Sequence, residues 1–192
     1  MSTTFTAHAS ELGSKGFIAS ITTAGVGGFW VPTVFDPEDA SGAAVIAAGA
    51  NTVYVHQFVL PYFSTVSKAT IEVTTGQAST NAVIGIYDAN KNKLIDSGAI
   101  SVASVAFVQA SFTEYTLKPG VYFYAWSCDG TTAQGRWLNT DLGSSAAAFM
   151  NQGTATRVGT AANAMAALVL PATLGTITTV NTQDSLISYW ER

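Results

Sequence analysis

The chain predicts an all-β protein, an antiparallel β-sandwich carrying an extended N-terminal arm, and two observations predict it. Between Asn51 and Asp129 short apolar runs recur, each closed by a sharp turn signal. Within those runs the side-chain period is two, as strands require, and not the 3.6 of a helix.

The elements follow in order. Residues 1–50 carry Gly25, Gly27, Gly28, Gly42, Gly49, Pro32 and Pro37 with few sustained periodic runs, which reads as an arm. Within it Gly28–Phe35 can form one strand ahead of the turn Asp36–Asp39. A Gly-rich terminus frays unless something ties it down, so the arm is expected to dock on a partner through Phe29 and Trp30. From Thr52 onward come strands at Val53–Leu60, Ala69–Thr74, Ala82–Tyr87, Lys93–Asp96 and Val121–Trp126, the last launched from Lys118-Pro119-Gly120. In the C-terminal third, Ser144–Met150 reads as a short helix. Met165–Leu170, Thr176–Val180 and Leu186–Trp190 read as closing strands around a turn at Leu170–Gly175. The expected division is an arm over 1–50 and a sandwich over 51–192.

Composition bounds the function. At 192 residues there is room for one domain, or one domain with an arm. Charged residues make up 10% of the chain, against about 25% in an ordinary soluble protein, while 48% are hydrophobic. That is little charge with which to cover a monomer. A spanning helix needs about 20 consecutive apolar residues, and the best runs, Ala43–Ala50 and Ala164–Leu170, are short. Several strands are apolar on both faces, which argues against an outer-membrane barrel with its polar lumen. Met1–His8 has neither a basic start nor an apolar core, so synthesis in a cytoplasm without secretion is expected. The net charge of −4 and the scatter of the eight basic residues argue against nucleic acid as a partner.

The doubly apolar strands suggest self-association. Val121, Phe123 and Ala125 alternate with Tyr122, Tyr124 and Trp126, and Val53, Val55 and Val59 alternate with Tyr54, His56 and Phe58. In a sandwich standing alone one of those faces would be wet, and contiguous apolar patches mark interfaces. Tyr122, Tyr124 and Trp126, with Tyr54 and Phe58, are the expected interface residues.

Motifs with chemical meaning are few. Asp88-x-Asn90-x-Asn92 starts like a calcium loop, but Lys93 stands where the turn glycine belongs and Ala99 where the bidentate Glu belongs, so it reads as a hairpin turn. The two histidines are His8, in the arm, and His56, on an apolar strand face where a hydrogen-bonded core histidine is the ordinary finding. The sequence contains no G-x-S-x-G, P-loop, G-x-G-x-x-G or H-E-x-x-H. Asp36, Glu38 and Asp39 crowd together in a Pro-containing turn, where solvated charge explains them. Cys128, the single cysteine, excludes an internal disulfide and reads as a small apolar residue at a strand end. The polar loop Cys128–Trp137 brings Trp137 beside Arg136, Asp129 and Asn139, the composition of a sugar-binding rim. The competing reading buries Trp137 at the start of the next strand.

Taken together, Tyr54–Pro61, Val66–Thr75, Gly85–Asp88, Leu117–Phe123 and Leu170–Gly175 make residues 51–192 resemble bacteriophage virion proteins with a jelly-roll-like sandwich, found in tail fibres, tail tips and capsid decorations or head fibres. The resemblance implies a homotrimer without a cofactor, and carries no catalytic residues or metal ligands over to this chain. The expectation is a non-enzymatic virion protein, made in the host cytoplasm, that decorates the particle and contacts other virion proteins through its arm. The alternative is a tail-fibre or tail-tip adhesion module binding host-surface glycan at Asp129, Arg136, Trp137 and Asn139.

Overall fold

The computed structural model describes residues 28–31, 42–137, 151, 156–180 and 185–192. They form two antiparallel sheets packed face to face, a β-sandwich as expected. The strands are β1 (Phe29–Val31), β2 (Gly42–Val45), β3 (Tyr54–Leu60), β4 (Ser64–Thr75), β5 (Asn81–Tyr87), β6 (Lys93–Asp96), β7 (Ile100–Ser101), β8 (Ala106–Leu117), β9 (Gly120–Cys128), β10 (Gln134–Trp137), β11 (Val158–Ala161), β12 (Ile177–Thr179) and β13 (Ser188–Glu191). The first sheet runs β1-β13-β4-β10-β2, with β8 on the opposite edge of β4. The second runs β12-β11-β3-β9-β5-β6, with β7 beside β5.

The chain passes repeatedly between the sheets, and two of its crossings lie side by side. From β3 the chain passes through Pro61 to β4, and from β8 through Lys118-Pro119 to β9. In one sheet β3 lies against β9, and in the other β4 lies against β8, so the two crossings nest side by side.

Sequence alternation decides what each sheet buries. In β4, Ile71 and Val73 face inward, while Thr70 and Glu72 point to the wet face. Strands β3, β5 and β9 behave differently, since both their faces are apolar and, apart from Val59 and Val121 at one end, mostly buried. Phe58, Leu60, Ile84, Ile86, Tyr122, Tyr124 and Trp126 fill the space between the sheets. Their alternates Val53, Val55, Val83, Tyr87, Phe123 and Ala125 form a second core with Met165, Leu170, Leu174 and Ile177. The C-terminal segment 161–177 is therefore a third layer laid across the outer face of the second sheet.

That layer is fastened by directed bonds. The Tyr87 hydroxyl donates to the Pro171 carbonyl at 2.7 Å, and Lys93 Nζ donates to the Leu170 carbonyl at 2.7 Å and to Asp96 Oδ2 at 2.8 Å. Main-chain bonds join Lys93 N to Ala172 O and Leu174 N to Lys91 O. Met165–Leu170, expected as a strand, is instead a tight reversal. Ala167 and Leu168 both adopt positive φ, 48° and 59°, and Ala166 and Val169 bridge across them. Positive φ at both central residues is the geometry of a type I′ turn.

The N-terminal division also needs correction. Strands β1 and β2 lie inside the region expected as an arm, yet both are members of the first sheet, β1 paired with β13 and β2 with β10. The sandwich thus begins before residue 51. The expected helix at Ser144–Met150 and the turn at Asp36–Asp39 lie outside the described residues.

Candidate functional site

The aromatic residues Phe29, Tyr54, Phe58, Tyr122, Tyr124, Trp126 and Trp137, expected to attach, to trimerise or to bind, meet in one internal feature, a row of rings between the sheets. Tyr122 meets Phe58 at 5.7 Å, Phe58 meets Phe29 at 6.0 Å, and Phe29 stacks on Trp190 at 6.4 Å. Trp190 contacts Tyr124 edge-on at 6.5 Å, Tyr124 stacks on Trp126 at 5.2 Å, and Trp126 meets Trp137 edge-on at 5.9 Å. Tyr54 stacks on the Trp126 ring at 5.7 Å. Such offset and edge-on pairs contribute about 0.5–1.5 kcal/mol each beyond their buried area.

This row overturns three assignments. Phe58, Tyr122, Tyr124 and Trp126 are buried and Tyr54 is half-buried against them, so they hold the two sheets of one molecule together and are not a trimer interface. Most of the patch that suggested trimerisation is covered from within the chain, on one face by the opposing sheet and on the other by segment 161–177, with Val59 and Val121 left exposed at one end. Phe29 is also fully buried and serves the core, not a particle surface. Trp30 stands in β1 opposite Tyr189.

Trp137 is the third correction. Only 5% of it is exposed, and its indole N–H donates to the Ala44 carbonyl at 2.6 Å. Trp126 does the same to Ile46 at 3.0 Å, so two buried indoles clamp β2 and the chain after it. No flat apolar platform faces solvent there. Arg136, on the outer face of the first sheet, forms a two-pronged pair with Glu72, Nε and Nη2 each at 2.8 Å from a carboxylate oxygen. The guanidinium bonds hold the Glu72 carboxyl below the usual carboxylate range. Asp129 accepts from the Asn81 main chain at 2.8 Å, tying the end of β9 to the start of β5. Gln77 Oε1 closes the polar loop by accepting from Thr132 N and Ala133 N. Asn139 lies outside the described residues.

The remaining polar candidates are likewise occupied. His56 Nδ1 lies 2.5 Å from Ser185 Oγ in the interior, and burial pushes the imidazole down from 6.5 to about 4, keeping it neutral. Cys128 ends β9 in full burial, which pushes its thiol up and disfavours the nucleophilic thiolate. Asp88 spends its carboxylate on its own turn, accepting from Asn92 N at 2.8 Å and from Asn92 Nδ2 at 3.3 Å. Among the described residues no group of three or more His, Cys, Asp or Glu side chains could hold a metal ion. His8, Asp36, Glu38 and Asp39 are outside those residues.

Part of what faces water is apolar. Among the described residues the exposed large hydrophobics are Val59 and Val121, expected on an apolar strand face, together with Phe63, Val105, Phe107, Tyr115 and Val169. Val59 and Val121 are cross-strand partners at the end of the second sheet that segment 161–177 leaves bare. Val105, Phe107 and Tyr115 sit on or beside β8. In β8, Phe107 stands opposite Glu72 of β4 on the outer face of the first sheet.

No protein-family model and no curated protein matches this chain.

Proposed function

We propose that the chain is a non-enzymatic structural subunit of a bacteriophage particle, mounted by the residues that precede β1 and contributing a rigid sandwich to the particle surface. The observation that carries this reading is that, among the described residues, the polar side chains singled out for binding or catalysis serve as internal ties. Arg136 is spent on Glu72, Asp129 on Asn81, His56 on Ser185, and the Trp137 indole on Ala44. Two further features support it: the resemblance of residues 51–192 to virion sandwiches, and the attachment of the N-terminal residues at β1. There Phe29 is stacked between Phe58 and Trp190, so a load on the preceding segment would pass straight into the aromatic row.

The test is immunogold labelling of purified particles from the phage that encodes the chain. Gold repeating over the capsid or its fibres is the expected result. A protein abundant in the infected cell and missing from washed particles overturns the proposal.

A further inference from the structure

We propose that the free edge of β8 pairs antiparallel with the same edge of a second copy of this chain, joining the first sheets of two molecules across a two-fold axis. The inference goes beyond the particle reading and holds whatever the sandwich is mounted on.

Edge strands present unpaired N–H and C=O groups, and natural sandwiches blunt them by keeping them short, by charging them or by covering them. In this fold the other edges are short: β1 and β12 have three residues, β2 and β6 four, β7 two. β8 is the exception. It has 12 residues, and β4 is its only strand partner among the described residues. Its sequence Ala-Phe-Val-Gln-Ala-Ser-Phe-Thr-Glu-Tyr-Thr-Leu contains no proline and no lysine, and most of its side chains are exposed. The regular part is Ala106–Ser111, paired residue for residue with β4 before the register shifts, and it spans about 20 Å at roughly 3.4 Å per residue.

A second copy fits this edge for three reasons. Antiparallel pairing about a two-fold is self-complementary, so one contact satisfies both edges and closes, leaving neither free. The strand carries a single charge, Glu114, which Arg192 already neutralises at 2.7 Å, so copies meet without like-charge repulsion. Val105 precedes the regular stretch and Phe107 lies within it, 69% and 76% exposed, and pairing along this edge would reduce their exposure.

Sedimentation of the full chain over a concentration series, with hydrogen exchange read on the Ala106–Ser111 amides, tests the proposal. The expected result is a dimer of about twice the 19.9 kDa chain mass, with those amides slowing as dimer forms. The double variant Phe107→Lys/Ser111→Lys places lysines on the edge and should sediment as a monomer with an unchanged melting temperature. Val121→Lys, at the other exposed apolar site, should remain dimeric. A wild type that is monomeric at hundreds of micromolar, or trimeric, overturns the proposal. So does a dimer that survives the double variant or is broken by Val121→Lys. Should the double variant not fold, exchange in the wild type decides alone, and amide rates independent of concentration are the overturning result.

Discussion

At the scale of single residues, the buried histidine links pH to stability. In the unfolded chain His56 titrates near 6.5, and in the folded protein burial lowers this to about 4. Between those values the unfolded state binds the proton and the folded state does not, so stability is intact above pH 6.5 and is lost as the pH falls towards 4. The slope is at most about 1.4 kcal/mol per pH unit, a total on the order of 3 kcal/mol. Glu72, held low by Arg136, adds its own loss only below the ordinary carboxylate value of 4.5, at the acid end of the histidine window. Urea titrations from pH 8 to 4 should show the midpoint falling through the histidine window, and His56→Gln should flatten it there. A midpoint independent of pH in wild type would contradict the burial of a neutral ring. Trp137 and Arg136, adjacent in sequence, should respond oppositely to truncation. Trp137→Ala opens the end of the aromatic row and should cost about 3–5 kcal/mol, while Arg136→Ala removes a partly solvated ion pair worth about 1 kcal/mol or less. Melting temperatures of the two variants check this, and similar values would mean that Trp137 is not in the core.

Element by element, the third layer explains both what the sequence revealed and what it concealed. Strands β3, β5, β6 and β9 were legible because their apolar residues are bounded by clear turns. Val53, Val55, Phe123 and Ala125 also announced that the outer face of the second sheet is dry. Alternation cannot say what dries a face, and segment 161–177, held by Ala and Gly and by a reversal at Ala167-Leu168 rather than by a strand, has no period that marks it as the cover. β8 was hidden for a related reason. Its inward residues are even-numbered at Val108 and Ala110, and odd-numbered by Leu117, because the register with β4 shifts between Val66 and Lys68. A bulge of this kind erases the period of two that a strand is recognised by. The expected sugar-binding rim failed because Gln134–Trp137 forms a strand, which turns the tryptophan inward while the arginine stays out. The layer itself makes a prediction. Gly85 lies beneath Leu170, and a Cβ there would come within 2.8 Å of Leu170 Cδ1 and 2.7 Å of the Ile95 carbonyl. Gly85→Ala should therefore lift the cover at a cost of roughly 1–3 kcal/mol, and Leu170→Ala should loosen it by about 2–5 kcal/mol. Limited proteolysis should cut both variants within 161–177 sooner than wild type. Unchanged cleavage there would show that the layer does not depend on the Leu170 contact.

For the whole molecule, the question is where the sandwich ends and the attaching segment begins, and the aromatic row answers it. Glycine and proline content places the border near residue 50, but Phe29 and Val31 are buried to 1% and 0%, and β1 extends the first sheet beyond β13. The sandwich therefore includes β1 and reaches back at least to Gly28. Two truncations separate the alternatives. If the segment before β1 serves attachment and not the core, removing residues 1–27 should leave the protein folded with nearly the wild-type melting temperature while incorporation into particles is lost. Removing residues 1–31 also takes away Phe29 from between Phe58 and Trp190, and Val31 from the core. The phenylalanine alone is worth about 3–5 kcal/mol, a large part of the roughly 5–15 kcal/mol that holds a domain together. That truncation should melt far lower or fail to fold. Calorimetry on both proteins, with a count of the shorter truncation in purified particles, reads the two halves of the argument separately. If the 1–31 deletion melted like wild type, β1 would be dispensable to the core. If the 1–27 deletion assembled normally, the attachment would lie on the sandwich itself.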